Sequence, residues 1–224
     1  MVPRILSLRM CVVMWCGSLA PACASPQALE ARATPHGDMR ARVERYESDR
    51  DALLRFWSVS SSPQRDARLG AFTASELGEL EHVDFDALER EARIDWILLR
   101  NELVREQRLI ELRAARRVQS APLVPFAPRI IALVEARQQM AALDPEATAA
   151  ELDALATEIA AARGAVETHK ADVVASVAYR TARETEELRG AFDEWYAFRA
   201  GYDPSFSWWV KKPHEAVREA LDAH

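Results

Sequence analysis

Residues 144–167 read DPEATAAELDALATEIAAARGAVE, and this stretch decides the fold class of the chain. Asp144 is a residue type that caps helix N-termini, and the first helical turn accepts a proline such as Pro145. The apolar residues that follow recur at alternating spacings of three and four: Leu152, Leu155, Ile159, Ala162 and Val166. Because this spacing places them on one helix face, the stretch predicts an amphipathic α-helix.

The apolar stripe of this helix allows two kinds of packing. It lasts only about two heptads, whereas coiled coils sustain such a pattern over roughly three or four. We therefore favour an antiparallel helix hairpin inside one bundle, with a coiled-coil seam as the alternative.

Other stretches carry similar helix signals. Ser62-Pro63 repeats the cap-then-proline pair, and Gly201 can end the last long helix. The predicted helices begin near Asp38, at Pro63, after Asp84 or Asp86, near Arg129, at Pro145, near Val174 and at Pro213. Alternating apolar and polar residues, the pattern of strands, do not form runs of useful length. We expect an all-α fold, an elongated antiparallel helical bundle.

The composition argues against some classes of function. The chain has 224 residues with 29 Lys plus Arg and 35 Asp plus Glu, which gives a formal net charge of -6. This acidic balance argues against a nucleic-acid partner and against binding to an anionic membrane surface. Hydrophobic residues make up 49% of the chain, an ordinary share for a globular protein.

The first 24 residues have the layout of a secretory signal peptide. Arg4 and Arg9 precede an apolar run, and Ala22-Cys23-Ala24 supplies the small residues that signal peptidase needs, so we expect cleavage after Ala24. The apolar run is about half the roughly 20 residues of a spanning helix, so no stable transmembrane anchor is expected. Residues 25–37 are predicted to be a linker and residues 38–224 the helical domain, in an exported protein of the periplasm or the extracellular space.

The cysteines leave a second form of export open. All three, Cys11, Cys16 and Cys23, lie in the leader, so the mature chain is expected to contain neither disulfides nor thiolate metal sites. Residues 19–23 also resemble a degenerate lipoprotein signal. In that alternative, Cys23 is lipidated and the protein is anchored to the envelope.

The search for catalytic motifs gives no complete site. His214-Glu215 begins a zinc motif that needs a second histidine four residues after the first, but position 218 is Arg218. A glycine-rich phosphate loop and a nucleophile elbow are also missing from the sequence. We therefore assign neither a catalytic residue nor a metal ligand in this chain.

One segment is unusually rich in aromatic residues. Residues 195–213 read WYAFRAGYDPSFSWWVKKP. In one interpretation these aromatics lock the segment after Gly201 onto the bundle. In the other they line a cleft or an interdomain contact. The residues predicted for that contact are Tyr202, Asp203, Phe206, Trp208, Trp209 and Lys211.

This segment resembles a known family. Gly201-Tyr202-Asp203-Pro204, followed by Trp208-Trp209-Val210 and Pro213, resembles the bacterial domain-of-unknown-function family 885. Its members are exported, longer proteins that are similar to zinc-dependent gluzincin peptidases, with a His-Glu metal motif in their distal half. The resemblance implies that this chain is the amino-terminal helical part of such a hydrolase. It would form a cleft wall or a domain-packing surface and would not be catalytic alone.

The resemblance also implies partners for the chain. These are the missing C-terminal catalytic region, where zinc is expected, and a peptide substrate. Ala216, Val217, Ala220 and Leu221 would form an apolar face on a helix opened by Pro213, and we expect that missing region to cover it. Two alternatives stay open: a complete exported helical binding or scaffold protein, and an envelope lipoprotein.

Overall fold

A computed structural model describes residues 39–169 and 172–224. The predicted signal peptide with Ala22, Cys23 and Ala24, and the predicted linker of residues 25–37, lie outside the described residues.

The described residues form seven α-helices and no strand, which confirms the all-α helical bundle. The helices are α1 (Met39–Phe56), α2 (Pro63–Glu81), α3 (Arg90–Ser120), α4 (Ala127–Gln138), α5 (Pro145–Thr168), α6 (Ala175–Ala200) and α7 (Pro204–Ala223).

Cap-then-proline pairs begin three of these helices. The Ser62 hydroxyl accepts a hydrogen bond from the Arg65 amide at 3.1 Å, and Asp144 accepts one from the Ala147 amide at 2.9 Å. Both helix starts were predicted. Each side-chain oxygen satisfies an amide that has no partner inside its helix.

The third pair, Asp203-Pro204, corrects the prediction that a helix opens at Pro213. Asp203 caps α7 and accepts from the amides of Ser205 and Phe206 at 2.9 and 3.0 Å, so the helix begins nine residues earlier than expected. Pro213 lies buried inside α7. Its ring nitrogen cannot donate to the Trp209 carbonyl one turn earlier, a local loss that the surrounding helix tolerates.

Two other helix starts also differ from the prediction. Asp84 accepts from the amides of Asp86 and Ala87 at 3.1 and 3.4 Å, so it closes a turn and α3 begins only at Arg90. The following helix begins at Ala127, slightly before the predicted position. Pro128 falls in its first turn, where a proline needs no amide partner.

The buried side chains form two hydrophobic cores. The first joins α1, α2 and α3 through Met39, Tyr46, Leu80, Leu88, Leu99 and Leu103. The second joins α4 to α7 and includes Ile130, Leu152, Ile159, Phe192, Phe206 and Val217. Helix α5 packs its apolar stripe inside this second core, as expected for a bundle. Its main partner is α7, which does not adjoin it in sequence, so the predicted antiparallel hairpin of consecutive helices was wrong.

The large side chains of the apolar face predicted on α7 are already covered, while Ala220 is partly exposed and Ala216 is exposed. Val217 and Leu221 are 0% and 3% exposed and belong to the second core. The prediction that this face awaits a missing region was therefore wrong. Helix α5 covers it, and periodicity within α7 could not reveal a contact with a helix so far away in sequence.

Candidate functional site

The aromatic segment predicted as a contact site divides between core and surface. Phe206 is fully buried, and its ring lies 5.6 Å from that of Trp195, so it cannot contact a partner. Tyr202 and Trp208 are 89% and 82% exposed, and Trp209 is 41% exposed. The segment therefore anchors part of its aromatic residues in the core and leaves others exposed, while the predicted contact stays a prediction.

We call Tyr202, Trp208, Trp209 and Lys211 the aromatic surface. Lys211 is exposed and lies three residues after Trp208, a spacing that makes neighbours on a helix. Asp203 is partly exposed and acts as the α7 cap, so its carboxylate is already engaged with backbone amides. Four of the six predicted residues are thus exposed, Tyr202 just before α7 and the other three in its first half.

His214 lies on the opposite, buried face of α7. Its ring stacks on that of Tyr196 at a centroid distance of 4.0 Å and on that of Phe192 at 4.8 Å. Its Nε2 atom is 3.3 Å from the Asp193 carboxylate. Burial lowers the pKa of His214, while Asp193 acts in the opposite direction. The histidine of the incomplete zinc motif is therefore a core residue.

A metal site elsewhere in residues 39–169 and 172–224 would need several His, Cys, Asp or Glu side chains close together. In this part of the chain, no cluster of three or more His, Cys, Asp or Glu side chains could hold a metal ion.

Sequence reasoning missed a cleft between the two cores. Two adjoining cavities, of about 310 and 250 Å³, share Ser61, Arg117, Ser120 and Glu184 as lining residues. The larger cavity has mostly apolar walls: Pro63, Ala121, Val124, Pro125, Pro128 and Ile131. The smaller cavity is lined by arginines and glutamates from α3 and α6. We call the two cavities together the inter-core cleft.

A buried ion network lies beside this cleft, and two of its arginines, Arg113 and Arg117, line the smaller cavity. Asp66, whose side chain is 5% exposed, accepts from Arg113 at 2.8 Å and from Arg117 at 2.7 Å. Glu106 accepts from Arg113 at 3.0 Å and lies 3.5 Å from Arg50. Because two buried carboxylates share three guanidinium groups from α1 and α3, the network fixes α1, α2 and α3 relative to one another.

The glutamates of the cleft are engaged with serines. Glu184 accepts from the Ser120 hydroxyl at 2.9 Å, and Glu187 accepts from the Ser60 hydroxyl. Ser62, the α2 cap, also donates to Glu135 on α4. These bonds connect the start of α2 and the end of α3 with the helices of the second core.

The sequence held a partial signal for the cleft. Arg113, Arg116 and Arg117 recur at helical spacing on α3, and Arg180 and Arg183 do so on α6. Such spacing shows that arginines share a helix face. It cannot show that two faces, more than sixty residues apart in sequence, line one cavity.

Comparisons with known proteins found no relative. The chain matches no family model, no curated protein and no solved structure. The resemblance of residues 201–213 to family 885 therefore stays a prediction. In the ranges 39–169 and 172–224, no helix is both long and apolar enough to span a bilayer.

Proposed function

We propose that the helical domain is a binding module without catalytic activity of its own, and that its aromatic surface contacts a second polypeptide region. The observation that carries this proposal is the exposure of Trp208 and Tyr202, at 82% and 89%. Tryptophan and tyrosine are enriched among the residues that dominate binding energy at protein interfaces. A partner that covers these two rings would remove their apolar surface from water.

The position of these residues on α7 supports the proposal. Phe206, Val210 and Val217 anchor the buried side of the same helix in the second core. The backbone that carries Trp208 and Trp209 is therefore held in place before any partner binds. Preorganisation of this kind lowers the entropic cost of association.

The partner that we propose is the zinc-dependent catalytic region of an exported family-885-type hydrolase. Support comes from the resemblance of residues 201–213, which contain the whole aromatic surface. Because α5 covers the apolar face of α7, that face is not available for the catalytic region. The aromatic surface is the contact that we propose for it. A self-contained exported scaffold protein would use the same surface for a different partner.

Site-specific photo-crosslinking tests the proposal in the cells that produce the protein. We expect p-benzoylphenylalanine at position 208 to give an adduct with one defined polypeptide. The same residue at position 98 is the control, because Leu98 is also exposed, at 61%, but lies on α3 in the first core region. The adduct at position 208 should disappear when Trp209 is changed to Ala.

The identity of the adduct separates the two partners. A crosslinked region that contains a His-Glu zinc motif supports the hydrolase proposal, whereas another defined protein supports the scaffold alternative. Folded protein that gives no adduct at position 208 contradicts both. Peptide hydrolysis by the purified chain contradicts the absence of catalytic activity.

A further inference from the structure

The inter-core cleft is separate from the aromatic surface, and its two halves differ in chemistry. The larger cavity, of about 310 Å³, has walls from the start of α2, the connection between α3 and α4, and α4 itself. Its volume is about twice that of an engineered apolar cavity of 150 Å³ that binds benzene. It can therefore receive a hydrocarbon group of ring size or somewhat larger.

The smaller cavity presents guanidinium groups from two helices. Arg113, Arg116 and Arg117 come from α3, while Arg180 and Arg183 come from α6. Arg113 and Arg117 are paired with Asp66, and Arg180 donates to Gln119 at 2.7 Å. Over the described part of the chain, Arg116, Arg180 and Arg183 have no carboxylate within ion-pair distance.

Three carboxylates line the cleft, Glu135, Glu184 and Glu187, and they do not balance its five arginines. Glu184 and Glu187 line the smaller cavity beside five arginines, and both accept hydrogen bonds from serine hydroxyls. Arg65, next to the network, has a lowered pKa because it is buried and because Arg113 repels its charge. The cleft is thus locally cationic although the whole chain has a net charge of -6.

The two cavities also adjoin each other through four shared lining residues. Ser61, Arg117, Ser120 and Glu184 line both, so an apolar group in the larger cavity lies next to the guanidinium groups of the smaller one. A planar guanidinium binds carboxylates through two parallel hydrogen bonds, which a flexible ammonium does not provide.

We propose that the inter-core cleft binds a small amphiphilic carboxylate. Its hydrocarbon part occupies the cavity bounded by Val124 and Ile131. Its carboxylate binds Arg116 and Arg183, the exposed guanidinium groups of α3 and α6. This inference is independent of the proposed function, because the aromatic surface contributes no residue to the cleft.

Calorimetric titration of the full chain with 4-phenylbutyrate tests the proposal. We expect saturable binding of one equivalent. 4-Phenyl-1-butanol has the same apolar group without the charge, and acetate has the charge without the apolar group. Both should bind at least about tenfold more weakly, because each loses one half of the site.

Variants at exposed positions locate the site. The double variant Arg116→Gln/Arg183→Gln should weaken 4-phenylbutyrate binding about tenfold or more. Arg108→Gln is the matched control, an exposed arginine on α3 that does not line the cleft, and it should leave binding unchanged. Ala121→Phe, at an exposed position in the wall of the larger cavity, should reduce binding by filling that cavity.

Three results would overturn the proposal. They are the absence of saturable binding to the wild-type chain, equal affinity for the alcohol and the carboxylate, and unchanged affinity in the arginine double variant with its helical circular dichroism intact. None of these measurements involves the aromatic surface, so they leave the crosslinking test unaffected.

Discussion

Arg117 on α3 donates to the Asp66 carboxylate in the first turn of α2 at 2.7 Å, and this bond links the start of one helix to the end of the other. Asp66 is almost fully buried, while the side chain of Arg117 is 24% exposed. A carboxylate near a helix N-terminus also interacts favourably with the helix dipole. Asp66 therefore has a structural function, and its arginine partners form one wall of the inter-core cleft.

Replacement of Asp66 should destabilise the protein strongly. In Asp66→Asn, Arg113 and Arg117 keep their charges but lose their shared carboxylate, so we expect the free energy of unfolding to fall by about 2 to 4 kcal/mol. Chemical denaturation measures this change. Glu111→Gln, an exposed acid on α3, is the control and should change the value by less than about 0.5 kcal/mol. Equal effects of the two variants would show that Asp66 does not stabilise the packing of these helices.

Truncation of Phe206 and of Trp208 should change the stability of the protein by very different amounts. Phe206→Ala leaves a cavity in the second core and should lower the free energy of unfolding by about 3 to 5 kcal/mol. Trp208→Ala removes an exposed ring and should change it by less than about 0.5 kcal/mol. Denaturation of both variants checks the division of this segment into core and surface. A large loss of stability in Trp208→Ala would contradict it.

His214 should make stability depend on pH on the acid side. Burial lowers its pKa below the ordinary value of 6.5, so the unfolded chain binds this proton more readily than the folded chain. The contribution of the neutral His214 ring to the free energy of unfolding is therefore complete above pH 6.5. This contribution is lost as the pH falls below 6.5. In His214→Phe, which keeps an aromatic ring between Phe192 and Tyr196, the decline below pH 6.5 should be smaller.

Denaturation curves between pH 7.5 and pH 5 measure this difference. His169→Gln is the control for the loss of a histidine, because the His169 side chain is 71% exposed. The same decline in His214→Phe as in the wild type would show that the His214 proton does not contribute.

Tyr46 should give a second pH dependence, on the alkaline side. Burial raises the pKa of its hydroxyl from 10.0 to about 12, and its ring stacks on that of Phe72 at 5.6 Å. Between these two pH values the unfolded chain releases the proton while the folded chain retains it, so stability falls as the pH rises above 10. Tyr46→Phe keeps the stacking and should remove this part of the decline. An unchanged alkaline profile in the variant would contradict the assignment.

Local sequence signals predicted the helices well where a cap determined the start. Helices α2 and α5 begin where Ser62-Pro63 and Asp144-Pro145 predicted, because the capping oxygen and the proline act within one turn. Asp203-Pro204 carried the same signal, but the aromatic segment around it was interpreted only as a packing or contact segment, and the helix start was assigned to Pro213. Density of aromatic residues indicates burial or contact and does not indicate backbone conformation.

The candidate sites depend on contacts between helices, and the spacing of residues along the sequence does not reveal such contacts. The exposure of Trp208 and the burial of Phe206 follow from which face of α7 meets the second core, and this depends on α5 and α6. The inter-core cleft depends on the contact between α3 and α6. Periodicity identifies a face on each helix separately, but only tertiary packing pairs the faces.

Helix α3 has 31 residues, begins beside the first core and ends against α6 through the bond from Ser120 to Glu184. An uninterrupted helix of this length resists bending, so a shift at either end is transmitted along about 46 Å to the other. A ligand that draws Arg116 and Arg183 together would therefore act on the helix whose middle carries Leu99 and Leu103 of the first core. Occupation of the cleft should consequently be detectable as slower amide hydrogen exchange in α1, a helix that has no residue in either cavity.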